Sequence, residues 1–318
     1  MKRYFIVSIR LVLSIVLILS FLTGFAHSYS LTQFIDTTKI KVFILAGQSN
    51  AVGYNDFKEY AGDSNALLQH IAALRHVRFW PGSNSRKELQ NKWNALHIGA
   101  SDISSDDPFK QSFGPEIGMA MTLANALPDE KIAIIKFAAG GTGIARSEDY
   151  FNYIPALNGF DDKGVNWHPP SDNKQSGSLY LALIDNIKKA LASLENANQQ
   201  YEICGFLWMQ GEHESGISKK MAEDYGSLLS TFRMAVRKDL NLKKLPFVVG
   251  EINSHTWAFA DIARNQQKKS CLRDRHSVLI KTTDLPRGGS GGEAHFTSDA
   301  MLELGERFAH GILQFISK

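Results

Sequence analysis

The chain has 318 residues, 44% of them hydrophobic and 21% charged, with a formal net charge of +3. That make-up suits a soluble globular protein with enough length for a sizeable core, and it argues against a disordered chain. No internal repeat, heptad run, proline-rich tract or long block of one charge is present, which sets aside solenoid, coiled-coil and tail-dominated architectures.

At the start, Lys2, Arg3 and Arg10 lead into an apolar stretch from Leu11 to Ala26, and the small residues Ala26 and Ser28 follow. That order predicts a secretory signal peptide over residues 1–28, because the apolar part falls short of the ~20 residues that span a bilayer comfortably. The expected location is secreted or periplasmic, with an uncleaved membrane anchor as the alternative. Losing those residues removes three basic side chains and no acids, so residues 29–318 are formally neutral. A neutral chain has no electrostatic footprint for nucleic acid or anionic lipid, and an uncharged polymer or a small molecule suits it better.

Along the rest of the chain, β-rich apolar runs at Val42–Ala46, Lys131–Ala138, Ile203–Met209, Pro246–Gly250 and Val278–Thr282 predict strands. Helical spacing lies between and after them, as in Leu179, Leu183, Ile187, Leu191, Leu194 and in Met301, Leu304, Phe308, Ile312, Phe315. Strands that are apolar on both faces and alternate with helices predict an α/β protein, a three-layer α/β/α sandwich around a mostly parallel sheet. In such a sheet the loops leaving the carboxyl ends of the strands converge on one crevice.

Four of those exits carry candidate chemistry. The first, "AGQSNAVG", offers the hydroxyl of Ser49, which is either a nucleophile at a helix start or an ordinary turn residue. The second, "KFAAGGTGIARS", brings a glycine cluster in which Gly141 could give an N–H to an oxyanion; it lacks the full dinucleotide fingerprint and a P-loop lysine. The third, "GFLWMQGEHES", sets the amide of Gln210 beside Glu212; the plainer reading leaves Glu212 or Glu214 in solvent. The fourth, "TDLPRGGSGGEAHFTSDAM", runs through glycines to His295, with Thr297 or Ser298 as the N-cap of the last helix.

Taken in order, the blocks "GQSNAVG", "FGPEIGMAMTLA", "KFAAGGTGI", "WMQGEHES" and "HFTSDAMLELGERFA" resemble the SGNH hydrolases, a flavodoxin-like superfamily. The likeness is to the branch of sialate O-acetylesterases and family 6 acetylxylan esterases, and it extends from about Lys41 to Phe315. It implies a single esterase domain over 29–318, with a core of about 41–316 and an irregular insertion over 145–177. It implies Ser49 as nucleophile and His295 as general base, with the N–H groups of Ser49 and Gly141 and the Gln210 side chain as oxyanion hole. Gln48, Asn50 and Glu212 would contact an acetylated carbohydrate substrate, and neither metal nor cofactor is called for. The family's aspartate, three residues before the histidine, is here Gly292. Glu293 is the first alternative acid, Glu212 and Asp284 are others, and a backbone carbonyl serving a Ser–His pair is a further one.

The insertion carries Tyr150, Phe151, Tyr153, Phe160 and Trp167, aromatics that could stack on sugar rings or pack onto their own domain. Cys204 and Cys271 could pair in an exported protein or stay buried as free thiols. Two other classes fit some of the same residues: a non-catalytic carbohydrate-binding protein, and a metal-dependent hydrolase using His295, His255 and Glu212. The latter lacks any His-Glu-x-x-His spacing.

Overall fold

The computed structural model describes residues 39–316 except 75, 83–84, 101–110, 147–164, 171–176 and 254, all within one compact unit. The expected signal peptide and most of the expected insertion, including Tyr150, Phe151, Tyr153 and Phe160, lie outside the described residues.

The five runs read as strands are strands: β1 (Ile40–Gly47), β4 (Ile132–Ala138), β5 (Tyr201–Met209), β6 (Phe247–Gly250) and β7 (Ser277–Ile280). Among themselves they lie in the order β4-β1-β5-β6-β7, all parallel. That is the flavodoxin-like order 2-1-3-4-5. Two short strands absent from the sequence reading, β2 (Val77–Trp80) and β3 (Asn94–Ala95), extend the edge beyond β4 to make seven strands. Only β3 runs antiparallel, through a two-residue pairing too short to leave a hydrophobic signature.

β1 shows why the sheet is covered on both sides. Phe43 and Leu45 point into one apolar cluster, while Val42, Ile44 and Ala46 point into the other. On the first face lie α2 (Ser64–Ala73), α3 (Glu116–Ala126) and α8 (Ser298–Leu313). On the second lie α4 (Ser178–Asn196) and α6 (Lys219–Asp239), with α7 (Ala260–Leu272) packed on α6. Four of the five residues its spacing foretold, Met301, Leu304, Phe308 and Ile312, form the buried stripe of α8, while Phe315 falls in the turn beyond the helix end and is only partly buried. Thr297 caps the helix by accepting from the N–H of Ala300.

Two further helices among the described residues, α1 (Ser49–Val52) and α5 (Glu212–Ile217), are short turns at the exits of β1 and β5. The register places them. Gly47 pairs with Ala138 on one side and Met209 on the other, so β4, β1 and β5 end level. Beyond them the N–H of Gln48 donates to Met209 O at 2.9 Å and the N–H of Ala139 to Gly47 O at 3.0 Å, which keeps the three exit loops adjacent.

Gly47 makes that closure possible. Its φ is +147°, and a Cβ there would lie 2.0 Å from the carbonyl oxygen of Met209. Strain in that region and overpacking against backbone each cost about 1–3 kcal/mol. Gly47→Ala is therefore expected to destabilise the protein by about 2–5 kcal/mol in chemical denaturation. An unchanged midpoint would mean that the strand end can shift without loss.

Candidate active site

Ser49 stands at the first position of α1 and is 6% exposed. The turn closes on its own backbone: Ala51 and Val52 donate to Gln48 O, and Gly53 donates to Ser49 O at 2.8 Å. Among the described residues neither the Ser49 hydroxyl nor its N–H has a hydrogen-bond partner, so both are available to a ligand. From beneath, the buried ammonium of Lys136 on β4 holds Val52 O at 2.9 Å and the carboxylate of Glu116 at 2.8 Å. Glu116 in turn accepts from the N–H of Gly114 at 2.8 Å. A buried ion pair secured by such further bonds is costly to break by removing one partner.

Asn50, the next residue, ties the beginning of the domain to its end. Its amide nitrogen donates to Ala294 O at 3.2 Å, and its carbonyl accepts from the N–H of Phe296 at 3.3 Å. One side chain thus grips the residues on both sides of His295 and holds that histidine next to the Ser49 turn. The imidazole is half-buried, packs edge-on against Tyr54 with ring centroids 5.2 Å apart, and places Nδ1 2.5 Å from the carbonyl of Gly291. Burial pulls its pKa below the ordinary 6.5, partly opposed by that carbonyl bond.

None of the three carboxylates expected as the acid is bonded to His295. Glu293 is exposed, and among the described residues only its backbone carbonyl is engaged, by Arg287 at 2.8 Å. Asp284 forms a two-pronged pair with Arg307, 2.8 Å on each side, which draws its pKa down to about 2. Glu212 is buried and accepts from Asn50 at 2.7 Å. The acceptor at Nδ1 is the main-chain oxygen that the glycine-rich loop folds back to present.

The glycine loop follows β4 and lies against Tyr54. Gly141 is exposed, and a Cβ there would meet nothing within 4 Å, so its backbone faces open space. Gln210 is fully buried, and its amide nitrogen donates to Glu214 at 2.6 Å, with Thr142 O at 3.2 Å and Gln48 Oε1 at 3.3 Å also in reach. Gln48 faces inward too, its Oε1 accepting from the N–H of His213 at 3.2 Å. The reading that left Glu212 or Glu214 in solvent is corrected: they are 3% and 0% exposed. Glu214 receives the N–H groups of Ile144 at 2.5 Å and Ala145 at 3.0 Å, which fastens the glycine loop to α5. Trp167 sits in the core against Phe137 and Trp208 rather than in the crevice, and both cysteines are buried and unpaired.

The family model for carbohydrate esterases described as sialic acid-specific acetylesterase matches residues 39–314. The chain belongs to that family. Its members are carbohydrate O-acetylesterases, which gives the enzyme class of the site. No curated protein matches the sequence significantly. Among solved structures, a protein from Arabidopsis thaliana superposes with a TM-score of 0.62 at 23% identity, covering 87% of this chain and all of that one. NanS gives 0.58 at 19% identity, over 87% of this chain and 97% of that one. A carbohydrate acetylesterase from Xanthomonas citri gives 0.55 at 17% identity, over 86% of this chain and 56% of that one. At these identities the likeness is one of fold.

In this esterase the sequence reading passed over two crevice residues. Tyr54 has its ring on His295, and a Cβ on Gly140 would lie 2.7 Å from its hydroxyl, so it bridges the histidine and the glycine loop. His213 lies against Gly143, where a Cβ would come within 2.7 Å of its ring. Neither follows a periodicity; the only signal was closeness in sequence to a candidate block. Among the described residues no three His, Cys, Asp or Glu side chains are grouped to hold a metal, and no helix is long and apolar enough to cross a membrane.

Glu212 has a measurable signature. Its second oxygen is buried without a partner, and burial raises its pKa from 4.5 to about 7 against the bond from Asn50. The fold therefore favours the neutral acid, and the stability this gives below pH 4.5 is lost as pH rises towards 7. Glu212→Gln cannot ionise, so its stability relative to wild type should rise between pH 4.5 and 7 and level off above. Urea denaturation at pH 5 and pH 8 tests this, and an equal difference at both would count against a buried, proton-holding Glu212.

Proposed function

We propose that the protein is an exported serine esterase that removes O-acetyl groups from carbohydrate, of the acetylxylan or O-acetylated sialic acid class. The observation that carries the reading is the Asn50 clasp, which brings His295 to the Ser49 turn at the level ends of β4, β1 and β5. Export rests on the basic, apolar and small-residue order of residues 1–28.

In the first half-reaction the Ser49 oxygen attacks the acetyl carbonyl while His295 takes the hydroxyl proton. The charge that develops on the carbonyl oxygen is received by the N–H groups of Ser49 and Gly141. Gln210, the third expected donor, braces the Thr142 carbonyl beside Gly141. Collapse expels the sugar hydroxyl, which leaves with the proton from His295, and the acetyl group stays on Ser49. Water deprotonated by His295 then attacks the acetyl-enzyme, releasing acetate and restoring the serine. The imidazolium formed in each half is stabilised at Nδ1 by the Gly291 carbonyl, in the place where a triad carboxylate would stand. A base and one oxyanion donor are typically worth about 10²–10⁴ and about 10²–10³ in rate.

Acetate release from acetylated xylan and from O-acetylated sialic acid, compared among wild type, Ser49→Ala and His295→Ala, tests the proposal. Each variant is expected to lose at least about 10²-fold. Turnover by wild type should persist below pH 6.5, because a base with a lowered pKa stays neutral further into acid. Equal hydrolysis by all three proteins would refute the serine mechanism, and turnover of neither substrate by wild type would refute the substrate class.

A further inference from the structure

The Gly291 carbonyl can orient His295 only if the turn that carries it is held still. Residues Gly289–Gly291 form one 3₁₀ turn in an exposed glycine-rich loop, a conformation with little intrinsic rigidity. The structure supplies an anchor from the other end of the chain. Both carboxylate oxygens of Glu59 accept from the N–H of Ser290, at 3.1 and 3.0 Å, and one also accepts from the Ser290 hydroxyl at 3.2 Å. Contact is close along the whole seam. A Cβ on Gly289 would lie 2.4 Å from Glu59 Oε2, and one on Gly291 would lie 2.0 Å from Tyr54 O. Two more bonds fasten the same segments, from Ser298 Oγ to Asp56 O at 2.7 Å and from Ala61 N to Asp299 at 3.1 Å. Of these fastenings, only the Glu59 carboxylate takes hold of the turn itself, and among the described residues no Lys or Arg is ion-paired with it.

We infer that Glu59 is a positioning residue for the histidine: its carboxylate grips Ser290 and so holds the Gly291 carbonyl against Nδ1. The inference rests on the reading of His295 as the general base. It assigns to a carboxylate outside the crevice, acting through the main chain, the orienting work that a triad acid does by direct contact. An ionised acceptor suits the task, because hydrogen bonds to a charged oxygen are roughly twice as strong as neutral ones.

The groups around His295 set the sign of the test. The Tyr54 ring and the Gly291 carbonyl touch it; Arg287 and Glu293 stand on its own loop, Glu212 beyond Asn50, His213 across the glycine loop, and Glu59 behind Ser290. The carbonyl bond raises the histidine's pKa against burial, so loosening that bond must lower it. With the full-length protein, Glu59→Ala is expected to reduce kcat about 10-fold on p-nitrophenyl acetate at unchanged KM, a part of the about 10²–10⁴ that a positioned base supplies. The acid limb of kcat/KM should move to lower pH, and the His295 titration followed by NMR should move with it. Glu59→Gln keeps an oxygen acceptor for Ser290 and should recover most of the loss. A Glu59→Ala protein with a wild-type His295 titration overturns the inference, as does a fall in Tm with no movement of the acid limb. Ser49→Ala separates the two readings: if it turns over as fast as wild type, the serine mechanism fails, while the NMR titration still decides the role of Glu59.

Discussion

The parallel register at the centre of the sheet is the constraint on which the site depends. Because Gly47 lies opposite Ala138 and Met209, three strands stop together and three loops begin from one line. Neighbouring strands stand about 4.8 Å apart, so whatever these loops carry within their first few residues is confined to a patch of small-molecule size. Ser49 comes from the middle strand, Gly141 from one neighbour and Gln210 from the other. His295 alone arrives from elsewhere, and it has to be fetched by Asn50 and kept in place by the turn before it.

Bringing these groups together leaves an unusual amount of polarity indoors. Glu116, Lys136, Gln210, Glu212 and Glu214 are all buried near the strand ends. Buried charge is tolerated where it is well partnered, and Glu214 and Lys136 are held by side chains and by backbone groups of the very loops that need fixing. The polar core therefore acts as a frame. It gives rigidity to glycine-rich segments that have no side chains with which to pack. Glu212, with one oxygen unpartnered, is the exception, and it lies where the frame meets the crevice.

Much of this was legible in the sequence. The long strands declared themselves because burial on both faces removes the need for alternation, as in "VFILA" and "IAIIKFA", and α8 did so through an apolar stripe at helical spacing. Ser49, Gly141, Gln210 and His295 could be nominated because each follows a strand or opens a helix, positions where a reactive group gains from a rigid support. β3 was too short to show a period. The partner of His295 left no trace because an acceptor contributed by the main chain has no letter of its own. The environments of Glu212 and Glu214 were hidden for another reason: a carboxylate beside a glycine reads as solvated until the distant N–H groups that receive it are known. Tyr54 and Glu59 were silent because their contacts with His295, the glycine loop and Ser290 all join segments far apart in sequence.

A histidine oriented by a peptide oxygen is also set apart genetically. No codon change at position 291 deletes that oxygen, since every amino acid carries one, and no drop in pH neutralises it as it would an aspartate. The weakness moves to the shape of the loop, so harmful changes should gather at residues that bend or brace it and never touch the imidazole. A survey confined to residues around the ring would overlook them.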